Sequence, residues 1–107
     1  MVNRFMRLIV MFDLPVVTEK DRKIYGKFRR FLLDDGYIML QYSVYARICK
    51  NADDVHKHEV KLKVNMPNKG NVRLLQITEN QFENMKIFCG KATNEEKIGM
   101  ESLITFE

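Results

Sequence analysis

Asp13 closes a nearly continuous apolar stretch, Phe5 to Leu14 (FMRLIVMFDL), and Pro15 follows it closely. An acid in that position stands at a strand end, beside the first loop. Two chemistries suit it. A turn aspartate accepts backbone hydrogen bonds; a metal ligand offers hard oxygen to magnesium or manganese, an ion that activates water for phosphodiester hydrolysis. One carboxylate holds such an ion weakly, whereas a twofold axis near Asp13 brings two together. The second chemical feature is a run of cations: Lys20, Lys23, Lys27 and Arg30 recur at helical spacing, and Arg22 and Arg29 lie farther round the same helix. Exposed helix faces are commonly charged, but they usually mix signs. Here only Glu19 and Asp21 interrupt the positive residues, which points to phosphate contact. Lys69, Arg73 and Arg47 extend the set.

The remaining reactive side chains carry less. Ser43 lies between apolar strand neighbours with no histidine close by to activate it, so it reads as a strand hydroxyl. His56 and His58 flank Lys57 on a helix; residues two apart do not share a face, and a zinc site is not expected. Cys49 and Cys89 form no CxxC pair and read as small hydrophobes in a reducing compartment. No Gly-rich phosphate loop, GxSxG or HExxH is present. No aromatic platform interleaves with the basic residues in sequence, which disfavours a base-reading RNA module and favours backbone contact.

These residues must be positioned by a small fold. With 107 residues and a hydrophobic fraction of 46%, the chain suits one folded domain, and self-association would help its stability. Lys and Arg number 18 against 14 acids, an excess that favours an anionic partner. The longest apolar run, Leu8 to Phe12, is too short to cross a bilayer, and the N-terminus has no leader pattern; the expectation is a cytoplasmic protein without a membrane partner.

The apolar stretch before Asp13 suits a central strand covered on both faces. Thr18 caps a helix whose buried face is Ile24, Phe28, Phe31 and Leu32, and Gly36 ends it. Tyr37 to Ile48 reads as two strand segments joined at a kink near Gln41 and Tyr42. Asn51 opens a second helix running to about Met66, with Val55, Leu62 and Met66 as a thin apolar face and His58 in the gap. Val72 to Thr78 is a further strand, and Thr78 with Gln81 caps a short helical piece whose Phe82 and Met85 face inward. Ile87 to Cys89 and Ser102 to Phe106 are candidate short strands. This order favours an α+β, ferredoxin-like βαββαβ sandwich over residues 1–90, with 91–107 as linker and last strand.

The ordered set FMRLIVMFDLP, KIYGKFRRFLLDDGY, IMLQYSVYARI and KGNVRLLQITENQFENMKIF resembles the small CRISPR-associated adaptation protein, the second universal spacer-acquisition subunit and an endoribonuclease family by name. The likeness is greatest to members from systems with a single large effector nuclease. It implies a homodimer in which the C-terminal strand, here Ser102 to Phe106, packs on the partner's sheet. It also implies a dimer that bridges two dimers of the larger integrase subunit and holds duplex spacer DNA. The family's metal-binding aspartate falls on Asp13, with magnesium or manganese as the ion, and its serine and aromatic pair on Ser43 and Tyr45. Phe12 and Tyr42 depart from the residues many members carry there. Three functions follow: a DNA-binding structural subunit, a metal-dependent endonuclease acting through Asp13, or a small-ligand regulatory domain of the same fold.

Overall fold

A computed structural model describes residues 5–90. The elements are β1 (Met6–Asp13), α1 (Glu19–Asp34), β2 (Ile38–Gln41), β3 (Val44–Cys49), α2 (Ala52–Val64), β4 (Asn71–Thr78) and α3 (Glu79–Glu83). The strands form one antiparallel sheet in the order β2-β3-β1-β4, an α+β arrangement consistent with the ferredoxin-like expectation. The continuous hydrophobicity of β1 is explained by its place. Leu8, Val10 and Phe12 face the helices, while Ile9 and Met11 face the opposite side, so alternation is lost because both faces are covered or apolar.

α1 begins where Thr18 and Asp21 bond reciprocally to each other's backbone, satisfying two helix-end donors. Phe28 and Leu32 are buried against the sheet with Val55 and Leu62 of α2, and Tyr25 and Phe31 pack at the margin. Each such fully buried side chain contributes about 1.5–3 kcal/mol through area removed from water. Gly36 has φ +89, and its backbone turns tightly against the Arg47 guanidinium, where a Cβ would collide. That guanidinium donates to the Asp35 carbonyl at the end of α1.

α2 starts at an Asn51 cap that accepts from the Asp54 N–H at 2.9 Å. It ends two residues earlier than expected, because Asn65 folds its backbone N–H and its amide back onto Lys61 and leaves Met66 exposed. The gap in its apolar face is filled by a polar contact: buried His58 places Nδ1 2.7 Å from Asp35, the residue that caps the C-terminus of α1. Its Nε2 lies 3.3 Å from Asp54, off the line of a good hydrogen bond.

The second face of the sheet is covered only in part. α3, capped reciprocally by Thr78 and Gln81, lays Phe82 on Ile9 and Ala46. Beneath it Arg7 and Glu79 form a buried, two-pronged ion pair with bonds of 2.5 and 2.9 Å, and the guanidinium stands 4.3 Å over the Phe82 ring. Beyond α3 an apolar groove of about 820 Å³ runs across Met11, Leu40, Val44, Leu75 and Ile77. Met85 lines this groove half-exposed rather than buried. Ile87 to Cys89 is not a strand; Phe88 is nearly fully exposed, and no described strand pairs with the segment. The expected strand Ser102 to Phe106, and the linker before it, lie outside the described residues.

Candidate nucleic-acid interface

Asp13 is the last residue of β1, exposed, and opposite Asn71 in the ladder. It shares the face of Ile9 and Met11, so it sits at the rim of the partly covered side of the sheet, in a shallow depression of about 210 Å³ with Met11, Asn71 and Arg73. Gly70, at φ +87, brings its backbone against the end of β1: a Cβ there would stand 2.5 Å from the Asp13 carbonyl oxygen. The β1 end and the loop before β4 are thereby fixed to each other, with exposed Lys69 beside them.

Whether this corner suits a divalent cation follows from its donors. Magnesium and manganese take about six oxygen ligands, several of them commonly water, with carboxylates as anchors. One Asp13 with Asn71 beside it is a thin set. Among the described residues no group of three or more His, Cys, Asp or Glu side chains is placed to hold a metal. A single protomer therefore does not furnish a fitting site, and no hydrolytic step is derived from it.

Ser43 and Tyr45 occupy places that differ from a reactive pair. β2 and β3 are the two expected strand segments, but a tight hairpin turn at Tyr42 and Ser43 joins them rather than a kink. Ser43 adopts φ 63, a conformation that non-glycine residues seldom take, and its carbonyl accepts from the Phe12 N–H at 3.1 Å. Its role here is to turn the chain and lock the hairpin tip to β1. Tyr45 is 1% exposed, with its ring stacked 5.6 Å from that of Phe12, and so belongs to the core of the protomer.

The basic residues divide into separate groups. Lys20, Arg22, Lys23, Lys27, Arg29 and Arg30 are all exposed along the outside of α1. Arg22 also donates to the carbonyls of Val16 and Val17 at 3.2 and 2.9 Å, holding the loop that follows β1, and Lys23 meets Glu19 at 3.8 Å. Arg73 is on the other side of the sheet with Asp13, and Lys69 is in the loop between. Arg47 does not join either group. It faces the helices and is engaged with the Asp35 carbonyl, so it closes the end of α1 rather than presenting a free cation.

The hairpin brings to α1 what its sequence lacks, an aromatic surface. Tyr42, 75% exposed, stacks on Tyr25 with ring centroids 6.3 Å apart and planes 22° from parallel. Tyr25 packs in turn on Phe12 at 5.8 Å, so a column of four rings runs from Tyr45 in the core to Tyr42 at the surface. The Tyr25 hydroxyl beside it holds the Tyr42 phenol above its ordinary range. The strand-like composition of residues 37–48 gave no sign of this contact, because it depends on a turn lacking the usual Asn-Gly signature.

The profile of the family described as CRISPR associated protein Cas2 matches residues 6–85, which hold every strand and helix above. The chain belongs to the Cas2 family. It is 51% identical over 92 residues to the CRISPR-associated endoribonuclease Cas2 of Acidovorax ebreus, covering 86% of this chain and 90% of that one. The Cas2 protein of the same name from Campylobacter jejuni is 42% identical across 96% of this chain and 72% of its own. That of Ligilactobacillus salivarius is 42% identical across 92% of this chain and 98% of its own. Family membership supports a CRISPR-associated role and favours it over a small-ligand regulatory one. Among the described residues no helix is long and apolar enough to cross a membrane.

Proposed function

We propose that this Cas2-family chain is a cytoplasmic spacer-acquisition subunit that acts as a homodimer, holds double-stranded spacer DNA on its basic surface and bridges two dimers of the larger integrase subunit. The exposed cations of α1 support it most directly. Five of them, Lys20, Lys23, Lys27, Arg29 and Arg30, project from one helix whose described acids are confined to its two ends, a charge pattern suited to sugar–phosphate backbone. The uncovered groove over Met11, Leu40 and Leu75 suits a second copy, since an apolar surface of that kind is costly to leave in water. Closing two such faces on each other leaves both α1 helices outside, and in this reading the two Asp13 carboxylates meet near the twofold axis.

The endonuclease reading is kept for two observations: the relatives carry the name endoribonuclease, and Asp13 is an exposed strand-end acid. In that reading paired Asp13 carboxylates, not one alone, hold magnesium or manganese. Two variants separate the functions. Asp13→Ala is expected to retain dimerisation, DNA binding and spacer integration while losing any nuclease signal. The triple charge reversal of Lys23, Lys27 and Arg30 to glutamate is expected to abolish DNA retention with the dimer intact. Full DNA binding by the reversed variant would overturn the assignment of the basic surface. Loss of DNA binding in a dimeric Asp13→Ala variant would favour the metal site as the nucleic-acid anchor.

A further inference from the structure

We propose that Tyr42, backed by Tyr25 and flanked by Arg22 and Arg29, is a stacking platform for an unpaired nucleobase of the nucleic acid held on α1. The platform rests on the nucleic-acid reading above and adds to it a second class of contact, to a base rather than to the backbone.

Tyr42 is built to receive a flat partner. One face of its ring lies on Tyr25 and the side chain is otherwise 75% exposed. An isolated surface tyrosine loses rotamer freedom when a ligand stacks on it, and that loss weakens binding. Here the loss is largely prepaid. Tyr25 is half-buried on Phe12, and the Ser43 carbonyl ties the hairpin tip to the Phe12 N–H. The left-handed backbone at Ser43 is a cost that the fold bears while placing Tyr42 on the helix side, away from the uncovered groove.

The charges around the rings select the partner. Arg22 and Arg29 stand three residues before and four after Tyr25, which puts both on the helix face that carries the ring pair. Gly26 lies on the same stretch between them, with nothing within 4 Å of where a Cβ would be. No packing demands glycine there, and its effect is to leave the helix surface between these two residues without side-chain cover. An exposed aromatic plane on a cationic helix face with a gap in its side-chain cover fits a nucleotide: base on the ring, phosphate at the neighbouring positive charge, with Arg29 the cation that no backbone carbonyl is shown to hold. A base still paired in a duplex hides its faces in the stack, so the occupant is a base at a frayed end, overhang or single strand.

The test compares a blunt DNA duplex with the same duplex carrying a short single-stranded overhang that contains a fluorescent base analogue. Binding is measured for wild type, Tyr42→Ala and Tyr42→Phe. Wild type is expected to bind both, quenching the analogue. Tyr42→Ala should bind the blunt duplex as before but the overhang about tenfold more weakly, in the range one stacked base contributes, and without quenching. Tyr42→Phe, which keeps the ring, should behave as wild type. Repeating the overhang in ribonucleotides identifies which nucleic acid supplies the base, by the stronger quenching. Unchanged overhang binding and quenching in Tyr42→Ala would overturn the platform while leaving the basic surface standing, as would an equal loss on both duplexes. Failure of the wild type to bind either duplex would bring down both readings together.

Discussion

Replacing Glu79 by alanine strands the Arg7 guanidinium in a site where its side chain is 4% exposed. Both bonds from Arg7, at 2.5 and 2.9 Å, end on that one carboxylate. The Phe82 ring face at 4.3 Å attracts the charge but cannot accept its hydrogen bonds in full. Breaking such a buried pair from one side costs about 3–5 kcal/mol, because the surviving ion is left desolvated and uncompensated. Domains of this kind are stable by only about 5–15 kcal/mol, so the loss is a large share of the total. At about 4–8 °C per kcal/mol for a domain of this size, the melting temperature should fall by roughly 12 °C or more. Removing both charges in the Arg7→Met, Glu79→Leu double variant should recover most of the loss, since two apolar side chains leave nothing unpaired. Urea denaturation at one fixed protein concentration measures all the variants, the fixed concentration being needed for a chain that self-associates. A Glu79→Ala cost below about 1 kcal/mol, the value of an exposed pair, would refute the reasoning. So would a double variant as unstable as the single one.

Two glycines should respond oppositely to alanine. Gly26→Ala meets open space in a helix interior and should stabilise the fold by about 0.5–1 kcal/mol, whereas Gly70→Ala, at φ +87 with the Asp13 carbonyl 2.5 Å from the new Cβ, should cost about 2 kcal/mol or more. Chemical denaturation reads both, and equal effects would contradict the local geometry. Burial pushes the Tyr37 phenol well above its ordinary range, and its hydroxyl has no hydrogen-bond partner among the described residues. The folded state therefore keeps a proton that the unfolded chain releases above about pH 10, so this contribution to stability is intact at neutral pH and declines as the pH rises past that point. Tyr37→Phe should remove the alkaline decline at a neutral-pH cost of about 0.5 kcal/mol or less, checked by denaturation at both pH values.

The elements that could be read from sequence are those with local signals. β1 declared itself by unbroken hydrophobicity, α1 by the Thr18 cap and the Phe28–Leu32 spacing, and α3 by Thr78 with Gln81. What could not be read depends on residues meeting from afar. Arg7 and Glu79 are 72 positions apart, and neither looks unusual alone. His58 interrupts the apolar face of α2 because Asp35, at the cap of a different helix, needs a partner. Ser43 turns the chain without a glycine or asparagine to announce it, so the hairpin resembled a kink, and the stacking of Tyr42 on Tyr25 went unseen with it. Arg47 counted as a surface cation until the close of α1 claimed it. At the candidate site, residue types identified the basic helix and the strand-end acid. Only the register could show that Asp13 and Arg73 share the partly covered face of the sheet, opposite α1.

The salt dependence of blunt-duplex binding by the unmodified protein bears most directly on the claim that the cations of α1 grip phosphate. With four or five of those side chains engaged per duplex, the logarithm of the association constant should fall against the logarithm of salt with a slope of about −4. A slope near zero, or no binding at low ionic strength, would contradict it.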